Sequence, residues 1–98
     1  MTREVIVRPA AERDIREARA WYRDIAPRFA EQFTSAVDQA IVSATETPFA
    51  FQILHRSVRR ALLRRFPYAL FFVAHESRIV VVGVLHQSRD PRIAQQRR

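Results

Sequence analysis

The chain has 98 residues, of which 48% are hydrophobic and 28% are charged, a balance that predicts one folded domain spanning residues 1–98. It has no cysteine, which excludes disulfides and thiolate metal sites. No apolar run approaches the roughly 18 residues that a membrane span needs, so we expect no membrane contact and no secretion signal.

The net charge of +7 is concentrated in one half of the chain. Residues 49–98 hold ten arginines against two acids, whereas residues 1–48 hold seven arginines against eight acids. All 17 basic residues are arginine. The planar guanidinium group of arginine stays charged and binds phosphates and carboxylates through two hydrogen bonds. This segregation predicts a surface that binds an anionic partner. The alternative is a solvated edge strand that uses charge to prevent aggregation.

The first half of the chain predicts a strand followed by two helices. Residues 4–8 are rich in β-branched side chains and stop at Pro9, which indicates a short strand. Apolar residues then recur every three or four positions up to Ile25, and again from Phe29 to Ala44. Pro27 ends the first helix and suits the first position of the second, which ends at Thr47-Pro48. The near absence of a linker predicts an antiparallel helical hairpin.

The second half predicts three strands after an irregular segment. Residues 49–57 show no clear pattern and predict a loop, whereas residues 58–65 predict a basic strand. Residues 68–75 and 79–86 are nearly continuous apolar runs, typical of central strands, and the short link between them predicts a hairpin. Gly83, the only glycine, predicts a bulge or a close backbone approach.

The order β-α-α-β-β-β predicts an α+β domain with an antiparallel-rich sheet and the helical hairpin packed on one face. The sequence does not fix where the first strand joins the sheet. The other face and the edges of the sheet are then left for the arginines. Asp90-Pro91 predicts the start of a short helix after the last strand.

The arginines alternate along the predicted basic strand. Side chains of a strand point to opposite faces in turn, which predicts Arg60 and Arg64 on one face and Arg59 and Arg65 on the other.

Residues suited to catalysis are sparse. The histidines at positions 55, 75 and 86 are far apart, and no phosphate loop or paired carboxylates are present, so we predict neither a metal site nor a cofactor. His86 is the one late side chain suited to proton transfer near neutral pH. The aromatic rings of Phe66 and Tyr68 are predicted as core or strand-edge residues.

Several motifs, taken together, resemble toxins of bacterial type II toxin–antitoxin systems, and more narrowly the ParE branch of the RelE/ParE superfamily. The resemblance covers nearly the whole chain. The motifs are Pro9-Ala-Ala-Glu-Arg-Asp14-Ile15, Thr47-Pro48, Val58-Arg59-Arg60, Phe66-Pro67-Tyr68 and His86-Gln-Ser-Arg89-Asp90-Pro91.

The resemblance implies a growth inhibitor of the cytoplasm, of the kind associated with plasmid stabilisation, bound by a ParD-like or related antitoxin. Operon DNA would be contacted only through that antitoxin. ParE-like members poison DNA gyrase, whereas RelE-like members cleave mRNA in the ribosome. A gyrase-binding toxin is favoured because this chain has no lysine and no tyrosine after Tyr68. The predicted target- or antitoxin-binding residues are Arg59, Arg60, Arg64, Arg65, Tyr68, His86, Arg89 and Arg92.

Two alternatives stay open. A ribosome-dependent nuclease would use His86 for proton transfer, with Arg60, Arg64 and Arg89 on the phosphate. A basic nucleic-acid-binding module without toxicity is the second alternative.

Overall fold

The computed structural model describes residues 3–89 and 92–93, which fold into two long helices and a five-stranded sheet. This architecture confirms the predicted α+β class. The predicted helix start at Asp90-Pro91 lies outside the described residues. The elements are β1 (Glu4–Val7), α1 (Pro9–Ile25), α2 (Pro27–Glu46), a short 3-10 helix (Pro48–Ala50), β2 (Ile53–His55), β3 (Val58–Leu62), β4 (Tyr68–Ala74) and β5 (Arg78–His86).

The two helices form the predicted hairpin. Only Ala26 separates them, and each begins with a proline, whose missing N–H would have no partner at that position. Near their junction, the ring of Tyr22 on α1 stacks on the ring of Phe33 on α2, with 5.4 Å between the ring centres. The buried residues of the two helices all lie on the predicted apolar stripes or directly beside them. These are Ala11, Ala18, Ala30, Phe33, Ala36, Val37, Ala40 and Ala44.

The sheet has the strand order β1-β5-β4-β3-β2, and only the β1–β5 pair is parallel. The prediction of an antiparallel-rich sheet is therefore confirmed. The first strand, whose position the sequence did not fix, forms one outer edge beside β5. The basic strand β3 is not an edge strand, because β2 lies outside it.

The prediction of a loop over residues 49–57 is wrong in part, because this segment includes the 3-10 helix and the outer strand β2. β2 has only three residues and pairs irregularly with β3, through Ile53 opposite Arg59 and His55 opposite Val58. Ile53 is 48% exposed, so the strand has no strong pattern of buried residues. β2 is a strand because it pairs with β3, and local sequence preference does not reveal a strand that depends on its neighbour in this way.

Gly83 lies at the predicted bulge. Phe71 of β4 is opposite Gly83 and Phe72 is opposite Val81, so β5 contains one extra residue, Val82. The extra residue reverses the alternation of side chains along β5. Val81 and Val84, three positions apart, therefore both face the helices.

Both faces of the sheet are apolar. On the helix side, Phe33, Leu70 and Phe72 are fully buried, and each such side chain contributes roughly 1.5–3 kcal/mol through burial. On the other side, Phe71 and Val82 belong to a second buried cluster. The expectation that this second face is left for arginines is wrong, because most positions of β4 and β5 that point there are valine, alanine, leucine or phenylalanine.

Neither of the two long helices in the described part has an apolar stretch of the length needed to cross a bilayer.

Candidate functional site

Tyr68 and His86 meet at the end of the sheet. They are cross-strand partners on β4 and β5, and their rings lie edge to face with 5.3 Å between the ring centres. The bulge at Gly83 brings His86 to the helix side, where Tyr68 also lies against the rings of α1 and α2. Together with Arg89 and Trp21 they line a cleft of about 230 Å³, here called the His86 cleft.

The ring of His86 has a defined hydrogen-bond pattern. Its Nδ1 accepts the backbone N–H of Ser88 at 3.0 Å and lies 2.9 Å from the Ser88 hydroxyl. A neutral ring with this acceptor has its proton on Nε2. The backbone N–H of Arg89 donates to the His86 carbonyl at 2.9 Å, which fixes a turn directly after β5. His86 therefore presents an N–H donor when neutral.

The two tyrosines near this cleft are not bases at neutral pH. Burial raises the pKa of the Tyr68 hydroxyl above 10.0. Burial, and after it the neighbouring Tyr68, raises the pKa of the Tyr22 hydroxyl in the same way. Both hydroxyls therefore stay protonated at neutral pH.

Asp14 on α1 belongs to the same cleft, although sequence reasoning did not select it as a site residue. Its Oδ2 accepts the backbone N–H of Val84 at 3.1 Å. β1 ends opposite Val81, so among the described residues this stretch of β5 has no strand on its outer side. Asp14 supplies the missing acceptor and attaches α1 to β5. The sequence did contain a signal for Asp14, because this residue is part of the Pro9–Ile15 motif.

Arg59 and Arg60 hold the segment that leads into β2. The Arg59 guanidinium donates to the Phe51 carbonyl at 2.7 Å and lies 5.1 Å from the centre of the Phe49 ring. The Arg60 guanidinium donates to the Gln52 side chain at 3.3 Å. These two arginines lie on opposite faces of β3, as predicted. Both arginines therefore stabilise the segment before β2.

Arg64 and Arg65 lie beyond the end of β3, so the prediction that they continue its alternation is wrong. β3 stops at Leu62, and both residues are exposed in the loop before β4. Arg65 has a left-handed backbone with φ of 69°. With Arg28 of α2 they line a cleft of about 840 Å³, here called the arginine cleft. Arg28 was missed because it is far from the basic strand in sequence.

Four neighbouring clefts share lining residues, from the His86 cleft past the tip of the hairpin to the groove between α2 and β3. Trp21 is shared between the His86 cleft and a cleft of about 360 Å³ against Ile25 and Phe29. Arg65 is shared between that second cleft and the arginine cleft. Arg64 is shared between the arginine cleft and a fourth, mainly apolar cleft of about 500 Å³ between α2 and β3. We call this set of four neighbouring clefts the furrow.

Exposed apolar side chains line the two ends and the middle of the furrow. Trp21 is 59% exposed and Ile25 is 55% exposed at the hairpin tip, and Val42 and Leu62 are 52% and 56% exposed in the fourth cleft. Such a run of exposed apolar groups, interrupted by arginines, is typical of a surface that binds a large partner.

The predicted residues therefore fall into separate groups. Tyr68, His86 and Arg89 lie together in the His86 cleft, and Arg64 and Arg65 lie in the arginine cleft. Arg92 is an exposed residue between the two parts of the chain that the structure leaves undescribed. Among residues 3–89 and 92–93, no group of three His, Cys, Asp or Glu side chains is arranged to hold a metal ion.

Comparisons with known proteins agree with this architecture. A family model described as ParE toxin of type II toxin-antitoxin system, parDE, matches residues 5–91. Two relatives named Toxin ParE2, from Mycobacterium tuberculosis strains CDC 1551 and H37Rv, are 33% identical over 95 residues, which is 93% of this chain and 88% of theirs. A solved structure of the chromosomal ParDE TA system from P. aeruginosa has a similar fold, with a TM-score of 0.75 and 13% identity, over 87% of this chain and 96% of that one.

Proposed function

The chain belongs to the ParE toxin family of type II toxin–antitoxin systems, and from this premise we propose that it inhibits growth by binding DNA gyrase. In this mechanism the toxin stabilises a cleaved or blocked gyrase–DNA state. The observation that supports a binder is the furrow, an extended surface of exposed apolar groups and arginines. The proposed site of action is the cytoplasm, where gyrase acts.

An antitoxin is the second proposed partner. The P. aeruginosa structure is of a ParDE system, and a cognate ParD-like or related antitoxin would neutralise this toxin in the same kind of complex. The basic half of the chain favours an acidic segment that folds on contact. The outer strands β1 and β2 each leave one side without a strand partner among the described residues, which allows such a segment to extend the sheet.

Charge reversal tests the antitoxin contact. Arg64 and Arg65 are suitable positions because both are exposed and neither forms a hydrogen bond or ion pair within the described part of the chain. Arg64→Glu with Arg65→Glu should speed dissociation of the complex and weaken its salt dependence. Arg16→Glu with Arg19→Glu, at two exposed positions of α1, is the matched control because it changes the charge by the same amount. Equal dissociation rates for the two proteins would argue against a contact at this loop.

Gyrase inhibition is tested with purified components. The toxin should inhibit DNA supercoiling by gyrase and accumulate cleaved or blocked gyrase–DNA complexes, and addition of the antitoxin should reverse both effects. In cells, induction should cause a DNA damage response and filamentation while messages in ribosomes stay intact. Normal supercoiling together with rapid cleavage of messages would reject the gyrase mechanism.

Ribosome-dependent mRNA cleavage is the alternative that the His86 cleft favours. His86 lies beside Arg89 in that cleft, so one group for proton transfer and one for phosphate are close together. His86→Ala should lower the rate of a nuclease by about 10²-fold or more. A gyrase binder would lose only the packing of the ring against Tyr68. His75→Ala, an exposed histidine after the far end of β4, is the control for both activities.

A further inference from the structure

We propose that the arginine cleft, lined by Arg28, Arg64 and Arg65, binds the phosphodiester backbone of nucleic acid. The cleft runs along α2 from Arg28 in its first turn to Gln39, and the loop that joins β3 to β4 forms its other side. The inference goes beyond the antitoxin and gyrase contacts, because it assigns a ligand class to one cleft and adds Arg28 to the site. It holds whichever macromolecule is the toxin's target.

The positive charge of this cleft is not neutralised within the protein. Three arginines and one acid, Glu31, line it. Within residues 3–89 and 92–93, Arg64 and Arg65 form no hydrogen bond, ion pair or ring contact, and Arg28 contacts the Phe29 ring at 4.9 Å. A guanidinium without an acidic partner is free to form two-point contacts with a phosphate group.

The start of α2 adds to the same potential. Its N-cap is Ala26, which provides no side-chain acceptor, and its first turn contains no acidic residue. The positive end of the helix dipole therefore keeps its charge, and Arg28 adds another cation where a helix normally favours an anion. Both contributions favour an anionic ligand at the end of the cleft that is lined by Arg28.

The backbone of Arg65 supports a role for its side chain. With φ of 69°, Arg65 is in the left-handed region, where glycine or asparagine is favoured. The turn therefore does not explain an arginine at this position. The turn places its side chain at the boundary between the arginine cleft and the aromatic cleft at the hairpin tip.

The neighbouring side chains favour nucleic acid over an acidic peptide. Gln32, Ser35 and Gln39 line the arginine cleft and offer neutral donors to phosphate oxygens. Trp21, 59% exposed, lines the adjoining cleft, where its ring lies edge to face with that of Tyr22 and its exposed part offers an aromatic surface to a base. Arginines on the backbone and an aromatic ring for a base are the combination used by proteins that bind single strands.

The test measures binding of a fluorescein-labelled single-stranded DNA of about 16 nucleotides, within the usual site size of such proteins. Fluorescence anisotropy is recorded over a series of salt concentrations for the wild type and for Arg28→Gln, Arg64→Gln and Arg65→Gln. Each cleft variant should reduce the slope of log K against log salt by about 0.7, the value for one phosphate contact on a single strand. Glu31→Gln, which removes the one acid of the cleft, should tighten binding.

Arg16→Gln is the matched control, because it removes the same charge from an exposed position of α1 outside the arginine cleft. Its slope should equal that of the wild type, and circular dichroism checks that every variant is folded. An equal decrease of this slope in all four arginine variants would overturn the proposal, since it would indicate only a diffuse effect of net charge. It would also be overturned if the DNA did not bind while an acidic peptide bound in a way that needs the three cleft arginines.

The outcome is separable from the gyrase proposal because the binding assay contains no gyrase. The toxin could leave supercoiling unaffected while each cleft variant loses about one phosphate contact. That result would reject gyrase as the target and support nucleic-acid binding at the arginine cleft.

Discussion

Replacing Asp14 should destabilise the protein, because it removes the acceptor that α1 offers to β5. Asp14 Oδ2 accepts the Val84 N–H at 3.1 Å, and Val84 is 1% exposed. A hydrogen bond to a charged group contributes roughly 1.5–3 kcal/mol. Asp14 itself is only partly buried, which favours the lower end of that range, about 1.5 kcal/mol for Asp14→Ala.

The expected change is large enough to measure by thermal unfolding. In a domain of this size, about 1 kcal/mol shifts Tm by roughly 4–8 °C, so Asp14→Ala should melt roughly 6–12 °C below the wild type. Asp14→Asn keeps a neutral oxygen acceptor, so its melting temperature should fall by about half as much. Glu17→Ala is the control, since Glu17 is exposed and lines the same cleft. Equal melting temperatures for Asp14→Ala and Glu17→Ala would refute the reasoning.

Three further results are expected. Phe33→Ala, at a fully buried ring that contacts three others, should lower the free energy of unfolding by about 3–5 kcal/mol in urea titrations; a loss no larger than that of the exposed Val42→Ala would contradict the packing described. Arg59→Gln should speed hydrogen exchange of the β2 amides while the β4 amides keep their rates, because the Arg59 guanidinium holds the chain just before β2; unchanged β2 exchange would show that this contact is dispensable. In ultraviolet titrations Tyr22 and Tyr68 should ionise above pH 10.0, because their pKa values are raised in the folded state. The unfolded chain then loses these protons first, so stability should fall as pH rises above about 10; ionisation at or below pH 10.0 would exclude the raised values.

The hairpin and the central strands could be predicted because their signals are local. A proline at the first position of each helix and apolar residues every three or four positions define the hairpin without tertiary information. β4 and β5 are long apolar runs, and their register shift falls beside the only glycine. β2 had no such signal, because its residues are mostly exposed and its pairing depends on β3.

In the arginine cleft, only the residues that lie close together in sequence were predictable. Arg64 and Arg65 are adjacent, and their exposure follows from their charge, whereas Arg28 joins them only because the fold packs α2 beside the loop. Asp14 was visible within a motif, but its partner is a backbone N–H on β5, which no side-chain pattern identifies. The sequence therefore indicated the chemistry of the surface, and the fold determined which of its groups share a cleft.

The bulge at Gly83 allows β5 to lose one residue without changing the residue that lies in the His86 cleft. If Gly83 were deleted and the strand became regular, the pairs from Leu70–Val84 to Tyr68–His86 would be kept, and His86 would still face the helices. If instead the strand became regular with every residue kept, each later side chain would turn to the opposite face, and Leu85 would lie opposite Tyr68. An alignment of relatives should therefore place any one-residue gap in β5 at the bulge, so that the position opposite Tyr68 stays matched.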